Sequence, residues 1–152
     1  MHQDLQQVMN DLVGIIRREP EMSQALTHLG ELRRRAARAG VEGHRQYNPG
    51  WHLALDLRNM LLVSECIARA ARERTESRGG HTRDDHPGMD RSWRRVNLLC
   101  TLREPDGDTG EEQAEAVRLE RRALPAIRAD LLALFDDEEL AKYLTEEEVK
   151  DR

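Results

Sequence analysis

NPGWHLALDLRNMLLVSECIARAARERTESRGGHTRDDHPG, residues 48–88, sets a long apolar helical pattern directly before a loop dense in Arg, Gly, His and Asp. Asn48 before Pro49 marks a helix start, because the Asn side chain can accept from first-turn amides and Pro is tolerated where an N–H has no helical partner. From Trp51 to Ala71, Leu53, Leu57, Met60, Leu61, Ile67 and Ala71 form one stripe, and Leu55, Leu62 and Cys66 another. Apolar residues nearly all round predict a buried helix, the spine of a bundle. It is not a membrane span, since Asp56, Arg58, Glu65 and Arg69 would each cost about 2.5 to 3.5 kcal/mol at a bilayer centre.

Outward from the spine, the remaining pattern is mostly helical. Leu5, Val8, Met9, Leu12, Val13 and Ile16 recur at helical spacing over residues 3–18, ending in Arg17 and Arg18 near the negative helix pole. Glu19-Pro20 breaks this helix, and a second runs from about Pro20 to Ala39 with Leu26, Leu29, Leu32 and Ala36 inward and Gly40 at its cap. Residues 75–91 form an irregular loop punctuated by Gly79, Gly80, Pro87 and Gly88.

Trp93 to Leu102 is rich in β-formers and predicts a strand. Val117 to Leu124 alternates apolar and charged residues and pairs with it as a hairpin, although residues 111–123 also read as a helix. After Pro125, Ile127 to Phe135 predicts a short helix. Asp136 and Asp137 cap another with Leu140, Tyr143 and Leu144 inward, and the end, TEEEVKDR, frays. The expected fold is mainly α, a single-domain bundle over residues 1–152 with three main helices, short C-terminal helices and a small β-hairpin.

The 152 residues suffice for a real core. Net charge of -5 with 35% charged residues indicates a solvated surface and gives no general argument for nucleic acid, which is not expected as a partner. Cys66 and Cys100 are the only cysteines and lack CxxC spacing, so neither a disulfide framework nor a zinc site is signalled, and a reducing, cytoplasmic setting is expected. No leader peptide or long apolar run appears.

Candidate chemistry is sparse. His81, Asp84, Asp85 and His86 fall within HTRDDHP, but their spacing matches no zinc or EF-hand pattern and hydrogen-bonded structure is the expectation. His52 and Asp56 lie one helical turn apart, which predicts a satisfied polar contact inside the bundle rather than an acid–base dyad. Arg33, Arg34, Arg35 and Arg38 read as a solvated basic face, with an anionic partner as the competing reading. GxSxG, HExxH, P-loop and GxGxxG motifs are absent from the sequence. No catalytic, cofactor-binding or metal residue is therefore assigned.

The segment TESRGGHTRDDHPGMD, Thr75 to Asp90, resembles the Glu-Ser-Arg-Gly-small-His-x-Arg-x-Asp signature near the C-terminus of succinate dehydrogenase and fumarate reductase flavoprotein subunits. DLQQVMNDLVGIIR, NPGWHLALDLRNMLLVSECIARAA, WRRVNLLCTL and VRLERRALPAIRADLLALFDDEELAKYLTEEE resemble further blocks of that family in the same order. Ser77, Arg78, His81 and Arg83 match the signature, Gly79 falls on its glycine, and Pro87 matches a proline common after it. Gly80 departs from a frequent Ala, and His86 from a frequent aromatic residue.

The resemblance implies FAD in the parent protein, electron transfer from succinate toward quinone, and location in the cytoplasm or on the cytoplasmic face of the inner membrane. It also implies that the FAD-binding and capping domains, with the dicarboxylate-binding residues, lie outside this sequence, so the chain alone is inactive. The implied partners are the FAD-binding domain of the same subunit and the iron-sulfur subunit, with the membrane anchor subunit only indirect. Self-association of the chain is also expected. Ser77, Arg78, Gly79, His81, Arg83 and Pro87 would form a docking loop, with Arg78 and Arg83 offered to carboxylates or carbonyls of another domain. L-aspartate oxidase, which carries Ser-Arg-Gly-x-His, and a free-standing helical adaptor are the alternatives.

Overall fold

The computed structural model describes residues 1–102 and 117–145. Three helices come first: α1 (His2–Leu12), α2 (Glu19–Ala37) and α3 (Pro49–Glu73). Two-residue strands β1 (Ile16–Arg17) and β2 (Thr82–Arg83) pair in parallel. A 3-10 turn at Arg91–Arg95 leads into β3 (Val96–Leu102), which pairs antiparallel with β4 (Val117–Ala123). Short helices α4 (Ala129–Leu132) and α5 (Asp137–Ala141) follow. The mainly α bundle with a small hairpin is thus the observed architecture.

The core lies between α1, α2 and α3, where Leu5, Val13, Ala25, Leu29, Leu32, Ala36, Leu57, Leu61 and Ala68 are buried together. Ala25 and Ala36 on α2 and Ala68 on α3 keep that seam narrow, while leucines fill it. Asn48 caps α3 as its sequence requires, with its side chain accepting from the Gly50 amide at 3.0 Å. Asp136 caps α5 by accepting from the Glu139 amide at 2.8 Å.

Several expectations need correction. The first helix stops at Leu12, not Arg18, because Ile16 and Arg17 leave the helical path to pair with Thr82 and Arg83. Arg17 then turns back, its Nε donating to the Gly14 carbonyl at 2.6 Å just past the end of the helix it was expected to extend. Spine helix α3 is not buried all round: Leu53, Leu55, Val63 and Ile67 are exposed, the last two at 56% and 44%. Trp93 to Arg95 belong to the 3-10 turn, so the strand begins at Val96. The helix expected over 127–135 shrinks to Ala129–Leu132, with Ile127, Leu134 and Phe135 exposed. Tyr143 is exposed while Leu140 and Leu144 are buried. The helix-or-strand alternative is settled as strand for Val117–Ala123, whereas residues 111–116 and the expected fraying of 146–152 lie outside the described residues.

Candidate functional site: the polar clasp after α3

The loop after α3 closes on itself around two buried charges, Arg83 and Glu76, each with no exposed surface. Arg83 sits on β2, where pairing with Arg17 fixes its backbone beneath the end of α3. Its Nη1 donates to the carbonyls of Ala71, Arg72 and Arg74 at 3.1, 2.9 and 3.2 Å. These are carbonyls that a helix terminus leaves without helical partners. The other edge of the guanidinium makes a two-pronged contact with Asp85, Nε to Oδ1 at 2.7 Å and Nη2 to Oδ2 at 2.8 Å. The Asp85 carboxyl lies well below the usual carboxylate range, held there chiefly by Arg83 against the opposing effect of burial, with help from the Glu19 amide. Because the Glu19 amide donates to Asp85 at 2.9 Å, one Arg–Asp pair joins the C-terminus of α3 to the N-terminus of α2.

Glu76 is the second hub. It accepts a two-pronged contact from one edge of the Arg78 guanidinium, Nε at 3.0 Å and Nη2 at 2.9 Å, and single bonds from Arg74 at 2.6 Å and the Asp90 amide at 2.9 Å. Burial pushes its carboxyl up, but the bonds from Arg78, Asp90 and Arg74 outweigh burial and hold it below its ordinary value. Ser77 stitches the loop together: its Oγ accepts from the Arg83 amide at 2.8 Å and can donate to the carbonyl of either Arg83 or His86. Gly79 adopts φ of 58°, a conformation that favours glycine, in the tight turn where Arg78 and His81 bridge.

His81 has a defined tautomer. Arg17 Nη1 can only donate, so the Nδ1 of His81 at 2.7 Å must accept. Nε2 therefore carries the hydrogen and donates to the Arg74 carbonyl at 3.1 Å. Burial lowers the imidazole pKa, the Arg74 carbonyl opposes this, and the charges of Arg17, Arg83 and Arg74 lower it further.

The clasp brings together Ser77, Arg78, Gly79, His81 and Arg83, whereas Pro87 lies exposed at its rim. The donors of Arg83 do meet carbonyls and a carboxylate, but those of its own chain, and Arg78 likewise faces Glu76 and the Asp90 carbonyl. Glu76 and Arg74 were not singled out from the sequence, whereas Asp85 was read within the HTRDDHP cluster and Arg17 as a charge at the end of the first helix. The signal for Glu76 was available, since arginines flank it two residues away on each side.

The HTRDDHP side chains divide their work instead of converging. His81 joins Arg17, Asp84 pairs with Arg18 and Asp85 with Arg83, and no metal-holding group forms among the described residues. His52 and Asp56 are both exposed and do not pair, contrary to the contact expected inside the bundle. The Arg33–Arg38 cluster is not one solvated face: Arg33 reaches inward to the buried Glu65 at 2.7 Å, and Arg35 pairs with Asp4 at 3.0 Å.

A dinucleotide has no cradle at the β1–α2 junction. Arg18 stands there in place of a glycine turn, Asp85 already occupies the Glu19 amide, and Glu19 and Glu21 add negative charge. The chain's own residues at this junction do not fit FAD. No helix among the described residues is long and apolar enough to cross a membrane. Near the start of α3, an open groove of about 920 Å³ is lined by Val41, Trp51, Leu53 and Leu57, and the indole Nε1 of Trp51 is buried without a hydrogen-bond partner among the described residues.

Three packed helices closed by an internally satisfied Arg/Glu/His loop, with apolar side chains left outside on the central helix, define a helical packing module. Residues 2–129 match the family described as the fumarate reductase flavoprotein C-terminus, and the chain belongs to that family. The Coxiella burnetii succinate dehydrogenase flavoprotein subunit is 36% identical over 91 residues, 59% of this chain and 16% of that protein. The Mycobacterium tuberculosis fumarate reductase flavoprotein subunit is 34% identical over 105 residues, 68% of this chain and 18% of the relative. In the solved structure of Mycobacterium smegmatis Sdh1 in complex with UQ1, one chain is 52% identical with a TM-score of 0.85, covering 99% of this chain and 24% of that one. The chain thus spans 16% to 18% of the length of these two curated relatives.

Proposed function

We propose that residues 1–152 act as one domain that docks on the FAD-binding domain of a succinate dehydrogenase or fumarate reductase flavoprotein subunit. In that subunit, succinate is oxidised to fumarate with FAD, and electrons pass to an iron-sulfur subunit at the cytoplasmic face of the membrane. The chain contributes assembly and not chemistry, and the FAD-binding and capping domains lie outside this sequence. The observation that carries this reading is the outer side of α3, where Leu53, Leu55, Val63 and Ile67 stand in solvent on a helix that buries Leu57, Leu61, Ala68 and Ala71 on its inner side. The clasp loop, with Ser77, Arg78, Gly79, His81, Arg83 and Pro87, holds that face rigid and presents its own rim to the same partner.

The test is co-expression with the FAD-binding portion of a succinate dehydrogenase flavoprotein subunit of this family. Expected are co-purification of the two, flavin reduction by succinate in the pair, and weakening of the association by about tenfold or more in Val63→Glu or Ile67→Glu. Flavin reduction by this chain alone with FAD and succinate, or no association of the two segments, would overturn the proposal.

A further inference from the structure

The docking reading leaves both cysteines without a role. Cys66 lies on α3 and Cys100 on β3, 34 residues apart in sequence, yet the Cys100 thiol donates to the Cys66 carbonyl at 3.9 Å. The hairpin register explains the meeting. Cys100 opposes Leu119, and on the same face Leu98 opposes Arg121 and Leu102 opposes Val117. That face looks onto α3: Val117 is buried, and Arg121 pairs with Glu73 on α3 at 2.7 Å. Cys100 is thereby directed at the helix. Both cysteines are free and only half-buried, so a small reagent can reach them.

We propose that Cys66 and Cys100 form a dithiol modification site that a low-molecular-weight disulfide, of the glutathione type, closes into a bond clamping β3 onto α3. One cysteine thiolate attacks the small disulfide, whose S–S bond breaks and releases one thiolate, leaving a mixed disulfide on the protein. The second cysteine, as thiolate, attacks the protein-side sulfur and expels the other small thiolate. The protein sulfurs lose two electrons, the small disulfide gains them, and both cysteine protons pass through water to the released thiols. Burial, reinforced by the neighbouring Cys100, pushes the Cys66 thiol up to about 11, so closure is slow at neutral pH and accelerates with alkalinity. A reachable pair with so little thiolate responds to sustained oxidising conditions rather than to brief ones.

Oxidised glutathione supplied to the folded chain at pH 8.5 tests this. Intact mass should fall by about 2 Da, with peptides containing Cys66 and Cys100 linked, and reduction should restore the starting mass. Cys66→Ser and Cys100→Ser should each stop at a stable glutathione adduct, and the closed wild type should unfold at a higher urea concentration than the open form. The closure rate should rise roughly tenfold per pH unit between pH 7 and 9. A lasting glutathione adduct on the wild type, a disulfide between two copies, or thiols unreacted while the urea-unfolded control reacts would each overturn the proposal.

Discussion

Replacing Arg83 with Met tests whether the signature arginine works inside its own chain. The side chain has no exposed surface and donates to three main-chain carbonyls at the end of α3 and to both oxygens of Asp85. Removing one partner of a buried ion pair costs about 3 to 5 kcal/mol. The lower end applies because the Asp85 side chain keeps 28% of its exposure and regains water. The expected loss is therefore about 3 kcal/mol, a large part of a domain stability of roughly 5 to 15 kcal/mol. Arg83→Lys keeps the charge but loses the planar fork, and should lose about 2 kcal/mol. Urea unfolding followed by far-UV circular dichroism measures both, with the slope against denaturant unchanged. The double-mutant cycle with Asp85→Asn should return a coupling of about 1 to 2 kcal/mol. If Arg83→Met unfolded within about 1 kcal/mol of wild type, Arg83 would not be closing the helix, and its donors would have to serve something outside the chain.

Other perturbations probe separate links. Leu61→Ala, at 3% exposure on the inner face of α3, should lose about 3 kcal/mol, whereas Val63→Ala on the outer face should stay within about 0.5 kcal/mol; equal losses in urea melts would mean that the two faces are not distinguished. Asn48→Ala should lower stability by about 1 kcal/mol through the uncapped Gly50 amide, checked by calorimetry. His81 is held neutral in the fold, its pKa below the ordinary value of 6.5, so the unfolded chain takes up a proton first as pH falls. Its contribution is whole above about pH 6.5 and declines as pH drops toward the folded-state value. Urea midpoints at pH 8 and pH 5.5 should differ less in His81→Gln than in wild type, and an unchanged difference would remove His81 from the acid sensitivity. Val63→Glu should also abolish any concentration-dependent light scattering of the isolated chain, since the exposed apolar face is what would join two copies.

The helices were legible where their signals are local. Asn48-Pro49 and Asp136 mark starts because a cap needs only a side chain and an amide two or three residues on. The hairpin was legible because β3 and β4 each carry strand-like composition. The end of α1 was not, since apolar spacing alone continues through Ile16, and what stops it is pairing with Thr82 more than sixty residues away. Nor could periodicity show which side of α3 stays open. A helix apolar on both faces has the same pattern whether its second face meets this chain or another one. The clasp was half legible: its residues could be named, but their partners are fixed by where β2 lies, which no local pattern encodes.

That distinction bears on what the signature is for. Arg83 and Glu76 are the fully buried charges of the loop, and each is surrounded by groups of the opposite polarity drawn from the end of α3 or the loop itself. Buried charges in such a net are poor hydrophobic stabilisers, but they tolerate only one arrangement, because any shift leaves a charge without its partner. The loop therefore fixes the angle at which α3 leaves the bundle and the place where the 3-10 turn carrying Trp93 leads into the hairpin. Trp93 makes this second point visible: Arg74, bonded to Glu76, and Arg121, bonded to Glu73, both lie over its ring, 4.9 and 4.4 Å from the centroid. The clasp thus reaches the hairpin through this indole and through the Arg74 Nη2 bond to the Val96 carbonyl at 3.0 Å, which ties α3, the loop and the hairpin together. A docking face needs that rigidity more than it needs extra contact area, since an ordered surface loses less conformational freedom on association. Under the docking proposed above, the signature residues would govern assembly while making their described bonds within their own chain.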